Sequence, residues 1–203
     1  MSAAQPRHVG VFGGAFDPPH RIHVALAQAA IEQLGLDLLH VVPTGTAWHK
    51  QRTLSAAEHR LAMCQLAFAG IDKVRVDPRE LQRDGPTYTI DTLLALEQIY
   101  PQAQFYLVIG EDQAQAMHNW HRIAEIRRAA IICVAIRAVP AGASGQYGDL
   151  LQILPDCRIL QMPVSAVSAT EIRHKAALGH SVTPLVFEPV ARYIDQHHLY
   201  QKA

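Results

Sequence analysis

Cysteine is scarce in this sequence. Its three copies, Cys64, Cys133 and Cys157, are odd in number, far apart and set in apolar surroundings. That pattern fits core packing and argues against a disulfide framework. Net charge is also missing, because 18 Lys and Arg balance 18 Asp and Glu. A neutral balance argues against a broad nucleic-acid surface and leaves room only for local cationic patches. No run approaches the roughly 18 apolar residues of a membrane span, and residues Met1 to Arg7 lack the apolar stretch of a signal peptide. Repeats, low-complexity segments and charge runs are absent. The expectation is a soluble, cytoplasmic protein without a nucleic-acid or membrane partner, with a homo-oligomer left open. At 203 residues the chain is long enough to bury a full core and suits a single domain over residues 1–203. Ala141 to Gly148, with three glycines, is the one candidate flexible loop.

What is present is an alternation of strand and helix patterns. Apolar, β-rich runs fall at Val9 to Phe12, Leu38 to Val42, Val74 to Val76, Phe105 to Ile109, Ile131 to Ile136 and Arg158 to Gln161. Helical patterns lie between and after them. Ile22 to Leu34 ends at Gly35, a second helix opens on a Ser55-Ala-Ala-Glu58 capping box and ends at Gly70, and a third covers Thr89 to Tyr100. Thr170 to Leu178 and Pro189 to His197 are the last two. Such alternation predicts an α/β fold with a doubly wound, Rossmann-like, mostly parallel sheet and helices on both faces. Ligands bind such sheets beyond the carboxyl ends of the strands. Polar residues and glycines gather there, in Gly14 to His23, Pro43 to Lys50, Asp77 to Asp91, Gly110 to Asp112 and Ser165 to Arg173. The grouping points to one site fed by several loops.

The first of these segments carries most of the chemistry. Val9 to His23 reads VGVFGGAFDPPHRIH: a strand that breaks on Gly13-Gly14, turns at Pro18-Pro19 and enters a helix. Glycines allow close backbone approach, and a helix start offers unpaired N–H groups and a positive dipole end to a phosphate. His20 and His23, three apart, share a helix face. Imidazoles titrate near neutrality, and an adjacent phosphate favours their protonated form. Three plainer readings stand beside this one: a strand–turn–helix with no ligand, a solvated or hydrogen-bonded His pair, and half of a metal site. No Cys or carboxylate sits at ligand spacing to complete the last. At the other end of the chain, Ser168-Ala169-Thr170-Glu171 opens a helix by cap rules, with Arg173 in its first turns able to fork onto phosphate. An ordinary cap with a surface arginine is the competing reading there.

Together the two segments resemble the signatures of the nucleotidylyltransferases, GxFDPxHxGH and ISxTxIR, in the right order and about 150 residues apart. Ala15 stands where the first signature has Thr or Ser, Ile22 where it has Gly, and Val167 where the second has Ile. The segments PTGTAWHK, VDPRELQRDGPTYTIDTL, LVIGEDQAQAMHNW and VARYIDQHHLY narrow the resemblance to the nicotinate-nucleotide adenylyltransferases of bacteria, over nearly the whole chain. Ala47-Trp48 replaces two prolines of the PPHK form.

The resemblance implies that the phosphate of nicotinate mononucleotide attacks the α-phosphorus of ATP, giving nicotinate adenine dinucleotide and pyrophosphate. Nicotinamide mononucleotide is the alternative acceptor, and a nucleotide-binding module without turnover the alternative class. Mg²⁺ would be carried by the ATP phosphates, with no dedicated protein cage. His20, His23 and Arg173 are implied as the residues acting on the reacting phosphates. Gly13, Gly14, Ala15, Phe16, Gly110, Asp112, Ser168 and Thr170 are implied at ATP. Thr89, Trp120, the backbone near His121, His49 and Lys50 are implied at nicotinate mononucleotide, with the Trp120 indole stacked on the pyridine ring. Tyr88 reads equally well as packing. Arg79, Glu80 and Arg83 read as a solvated ion-pair cluster outside the site, and the remaining histidines, including His197-His198, as surface.

Overall fold

The computed structural model describes residues 5–45, 54–137, 154–163 and 167–201. His49, Lys50 and the Ala141 to Gly148 loop lie outside the described residues. The strands are β1 (His8–Gly14), β2 (Leu38–Pro43), β3 (Val74–Val76), β4 (Gln104–Gly110), β5 (Ala130–Arg137) and β6 (Arg158–Met162). The helices are α1 (Arg21–Leu34), α2 (Ala57–Ala67), α3 (Thr89–Ile99), α4 (Glu111–Gln115), α5 (Ile123–Ala129), α6 (Ala169–Ala177) and α7 (Glu188–Gln196), with a 3₁₀ turn at Met117–Asn119.

The strands form one sheet in the order β3-β2-β1-β4-β5-β6. Every neighbouring pair is parallel, so among the described residues the sheet is parallel throughout. Both faces are covered, which is why the central strands are nearly continuous apolar runs. Phe12, Val41, Val108 and Leu160 face one core with residues of α1, α2, α6 and α7. Val11, Val42, Leu107 and Val134 face a second core with α3 and α5. The strand order reverses between β1 and β4, the switch point at which doubly wound sheets open a crevice. Of the three cysteines, Cys64 and Cys133 are buried in the core and Cys157 is half-buried. Burial pushes the Cys133 thiol up to about 12.

Three parts of the sequence reading need correction. The Ser55 capping box does not form: α2 starts at Ala57 with Ala56 at its N-cap and no side-chain cap bond. Ser55 instead donates its N–H to the Asp17 carboxylate at 3.2 Å. His40, expected at the surface with the other histidines, is buried and bonds the Asp77 carboxylate at 2.9 Å; between β4 and β5, where the sequence suggested no element, the chain carries α4, the 3₁₀ turn and α5. Each is too short to show a 3.6-residue period. Among the described residues no helix is long and apolar enough to cross a membrane.

Candidate active site

The crevice at the switch point is a cavity of about 820 Å³, the size of a small-molecule site. Its floor is the carboxyl end of β1 and β4, Val11 to Gly14 with Leu107, Ile109 and Gly110. The Gly-Gly-Ala-Phe turn is built by close packing. Phe16 holds a left-handed φ of 46°, a strained conformation for a bulky residue. Its ring packs edge-on against Phe12 at 5.3 Å, His23 at 5.0 Å and Phe68 at 6.0 Å. A Cβ on Gly14 would meet that ring at 3.0 Å. Gly14 is therefore required by Phe16 folding beneath it, in addition to any approach of a ligand.

Both signature histidines are at the start of α1, but they differ. His23 lines the cavity, and its Nδ1 accepts the backbone N–H of His20 at 3.1 Å. A backbone N–H only donates, so Nδ1 carries no proton and Nε2 carries one. In this arrangement His23 is a neutral Nε2–H donor. His20 sits behind it, with the rings stacked at 3.7 Å. It is 7 % exposed and does not line the cavity. Burial lowers its pKa to about 4, and its Nδ1 has no hydrogen-bond partner. Like charge on two rings this close would be unfavourable, so neutrality of both is the consistent state.

Arg173 joins the two signature segments. Its Nη1 donates to the Asp17 carbonyl at 2.8 Å and its Nη2 to Thr170 Oγ1 at 3.1 Å. Thr170 and Arg173 line the cavity, whereas Ser168 does not. The Ser168 hydroxyl caps α6 by accepting the Glu171 N–H at 3.2 Å, so that oxygen acts within the helix. Gly110 and Asp112 line the opposite wall, where Gly110 caps α4. Thr89, Trp120 and His121 line a third part of it. The His121 ring lies 4.2 Å from that of Tyr88, and Tyr88 lines the cavity too. The expected residues Gly13, Gly14, Ala15 and Phe16 all reach the wall. His49 and Lys50 lie outside the described residues.

One correction within the site concerns Glu80. It is 7 % exposed rather than solvated, and it lines the cavity. Its carboxylate accepts the Thr92 hydroxyl at 2.7 Å and is also bonded to the Thr87 side chain and the Gly45 N–H. Burial raises its pKa, against the lowering effect of those donors. Arg83 reaches the same network through Thr92 Oγ1 at 3.1 Å. Arg79 turns away to Asp77, 2.8 Å from its Nε. Gly45 lies against the Glu80 carbonyl so closely that a Cβ there would collide with it. One carboxylate thereby ties the loops after β2 and β3 to α3.

Arg60 went unnoticed in the sequence. It is 3 % exposed and donates to three backbone carbonyls: Ser55 at 3.0 Å, Ala15 at 3.1 Å and Thr44 at 2.7 Å. The signal was available, since Arg60, Met63, Cys64 and Ala67 fall on one buried helical stripe. An arginine on such a stripe has carbonyls to serve.

Comparison with known proteins agrees with this geometry. The cytidylyltransferase-like family model matches residues 11–175. A protein of Albidiferax ferrireducens, named probable nicotinate-nucleotide adenylyltransferase, is 57% identical over 97% of this chain and 100% of its own. A protein of Methylibium petroleiphilum with the same name is 40% identical over 98% of this chain and 95% of its own. Among solved structures, the Plasmodium falciparum nicotinic acid mononucleotide adenylyltransferase complexed with NaAD superposes with a TM-score of 0.76 at 18% identity. That superposition covers 96% of this chain and 97% of the other, and at this identity it speaks for the fold. The chain belongs to the cytidylyltransferase-like family and, within it, to the nicotinate-nucleotide adenylyltransferases.

Proposed function

We propose that the protein transfers the adenylyl group of ATP to nicotinate mononucleotide, forming nicotinate adenine dinucleotide and pyrophosphate in NAD biosynthesis. The observation that carries this reading is the meeting of both signature segments at one cavity, through the Arg173 bond to the Asp17 carbonyl. The mononucleotide phosphate oxygen attacks the α-phosphorus in line, its bond to phosphorus forms as the bond to the bridging oxygen breaks, and pyrophosphate leaves with that oxygen. No protein nucleophile takes part, so the work of the chain is positioning and charge stabilisation.

Each wall has a role in this reading. His23 donates its Nε2–H to a phosphate oxygen, and Arg173 supplies the guanidinium for the phosphates. His20 sets the orientation of His23 through its backbone N–H and its stacked ring. Gly13, Gly14, Ala15 and Phe16 place backbone at the nucleotides, and Thr170 stands beside the triphosphate. Ser168 contributes as the cap that starts α6. Asp112 and Gly110 meet the adenosine ribose, whose hydroxyls a carboxylate can accept. Trp120 stacks on the pyridine ring, and Thr89 with the backbone near His121 takes the ring carboxylate. His49 and Lys50 belong to the acceptor side in the same reading. Mg²⁺ would be carried by the ATP phosphates, whose oxygens can serve as its ligands, and would neutralise part of their charge. Arg173 and the backbone N–H groups then meet a metal-bearing triphosphate, a chemistry that suits hydrogen-bond donors in the wall. A cytoplasmic setting belongs to the same proposal.

The test is pyrophosphate release by the purified protein with Mg-ATP and, in turn, nicotinate mononucleotide, nicotinamide mononucleotide or phosphopantetheine. Rapid release with the first alone is expected. Equal release with the second would replace the proposed specificity by a dual one, and no release with any acceptor would remove the enzymatic reading. His23→Ala is expected to lower turnover by about 100-fold or more, the scale on which single fixed donors act, with ATP still bound. Wild-type-like turnover would take His23 out of the mechanism.

A further inference from the structure

The C-terminal turn, part of the VARYIDQHHLY segment, has no role in the reaction as described. After α7 the chain does not run off into solvent. The Leu199 N–H bonds back to the Ile194 carbonyl at 3.0 Å. His198 and Tyr200 take left-handed φ values of 49° and 68°. Neither is glycine, and two such residues within three positions persist only where the surroundings enforce them.

The enforcing contact is the Tyr200 side chain. Its hydroxyl donates to Asp17 Oδ1 at 2.8 Å and lies 4.0 Å from the Met63 sulfur. It also bonds the Ser55 side chain, and burial beside the Asp17 carboxylate keeps the phenol protonated. Asp17 is 2 % exposed and lines the cavity. Its Oδ2 accepts the Ser55 N–H at 3.2 Å, and its carbonyl accepts Arg173 Nη1 at 2.8 Å. One residue of the signature turn is therefore held from three sides: by the C-terminal turn, by the approach to α2 and by α6. Tyr200 itself is not part of the cavity wall. Whatever it does for the reaction passes through Asp17, three residues before His20 and six before His23.

We propose that Tyr200 is a positioning residue for adenylyl transfer: the C-terminal turn latches the Asp17 carboxylate and so fixes the carbonyl that orients Arg173 and the segment that delivers His23. The proposal rests on the adenylyltransferase reading. Without the latch, Asp17 can rotate, its carbonyl leaves Arg173 Nη1, and the guanidinium loses a fixed plane. Binding of the mononucleotide ring, on the wall of Trp120 and Thr89, is remote from this contact.

The test is Tyr200→Phe, which removes one oxygen and keeps the ring. Turnover and Michaelis constants are measured with Mg-ATP and nicotinate mononucleotide well below the melting temperature of every variant. Expected is a kcat about 10-fold to 100-fold lower, with the mononucleotide KM within about twofold of wild type. Leu199→Ala serves as the control, since it loosens the same turn and leaves the hydroxyl. It should lower the melting temperature and leave kcat unchanged. In an Asp17→Ala background, which leaves no acceptor for the hydroxyl, Tyr200→Phe should cost little more, because both changes break one contact. A kcat within twofold of wild type, or an equal loss in the Asp17→Ala background, overturns the latch and leaves the adenylyltransferase reading intact. A wild-type protein without turnover overturns that reading and the latch with it.

Discussion

Acid should destabilise this protein through His20 between about pH 6.5 and pH 4. In the folded chain burial holds the His20 pKa at about 4, against 6.5 for an unperturbed imidazole. The unfolded chain therefore binds the proton that the folded chain refuses. A histidine with a depressed folded pKa contributes its full share of stability above pH 6.5 and loses it as pH falls toward 4. At pH 5 the two pKa values give a loss of about 2 kcal/mol relative to neutral pH, and the full shift is worth about 3 kcal/mol. Against a typical total of about 5–15 kcal/mol this is a large share. The assay is urea unfolding at pH 7 and pH 5 for the wild type and His20→Asn. The asparagine removes the titrating group, so the difference between the two pH dependences isolates His20 from every other ionisable group. The wild type should lose about 2 kcal/mol more than the variant over this interval. A difference below about 0.5 kcal/mol would refute the reasoning, because it would mean that His20 charges freely in the folded state.

Other consequences follow from single contacts. Arg60→Ala strips three backbone carbonyls of a buried charged donor, and a loss of about 3–5 kcal/mol in unfolding free energy is expected; a loss under about 1 kcal/mol would mean that water serves those carbonyls as well. Gly45→Ala drives a Cβ into the Glu80 carbonyl, with an expected cost of about 1–3 kcal/mol and a raised KM for the mononucleotide; unchanged stability would show the loop after β2 free to move aside. Trp120→Ala should raise the mononucleotide KM by about 10-fold, near 1.4 kcal/mol of lost stacking, and a change confined to the KM for ATP would contradict the placement of the pyridine ring.

The strands were legible because a parallel sheet buried on both faces needs apolar residues on every side, and Leu38 to Val42 or Phe105 to Ile109 read no other way. The loops with the chemistry were legible for the complementary reason: polar residues collected only where strands end. The elements that escaped are those whose cause is tertiary. Ser55 had the spacing of a cap, but its N–H bonds Asp17, which is 38 residues away, so the local rule lost to a long-range partner. Glu80 and Arg83 looked like exposed charge because nothing nearby in sequence announces Thr92 and Gly45 as partners. The packing of the two histidines escaped for a related reason. Sequence spacing placed His20 and His23 on one face, but only coordinates show that one ring covers the other and that a backbone N–H occupies Nδ1 of His23.

A neutral His23 moves the burden of positive charge in the cavity onto Arg173 and onto whatever cation accompanies the phosphates. An imidazole that donates without being charged gives direction with little electrostatic pull in the ground state, and a donor of fixed direction strengthens as charge develops on the leaving oxygen. A flexible cation would bind the starting triphosphate as well as the transition state and so gain little rate. The structure avoids that by committing the guanidinium plane of Arg173 to the Asp17 carbonyl and Thr170 Oγ1, and the imidazole plane to the His20 N–H. Arg60 does the same for the backbone of Ala15 and Thr44. Buried polar groups are expensive when unpaired and rigid when paired, and two of them, Asp17 and Arg60, brace the turn between β1 and α1. The rigidity of that turn, set by residues as distant as Arg173 and Tyr200, is the physical content of a site that must align two nucleotides without ever bonding to either.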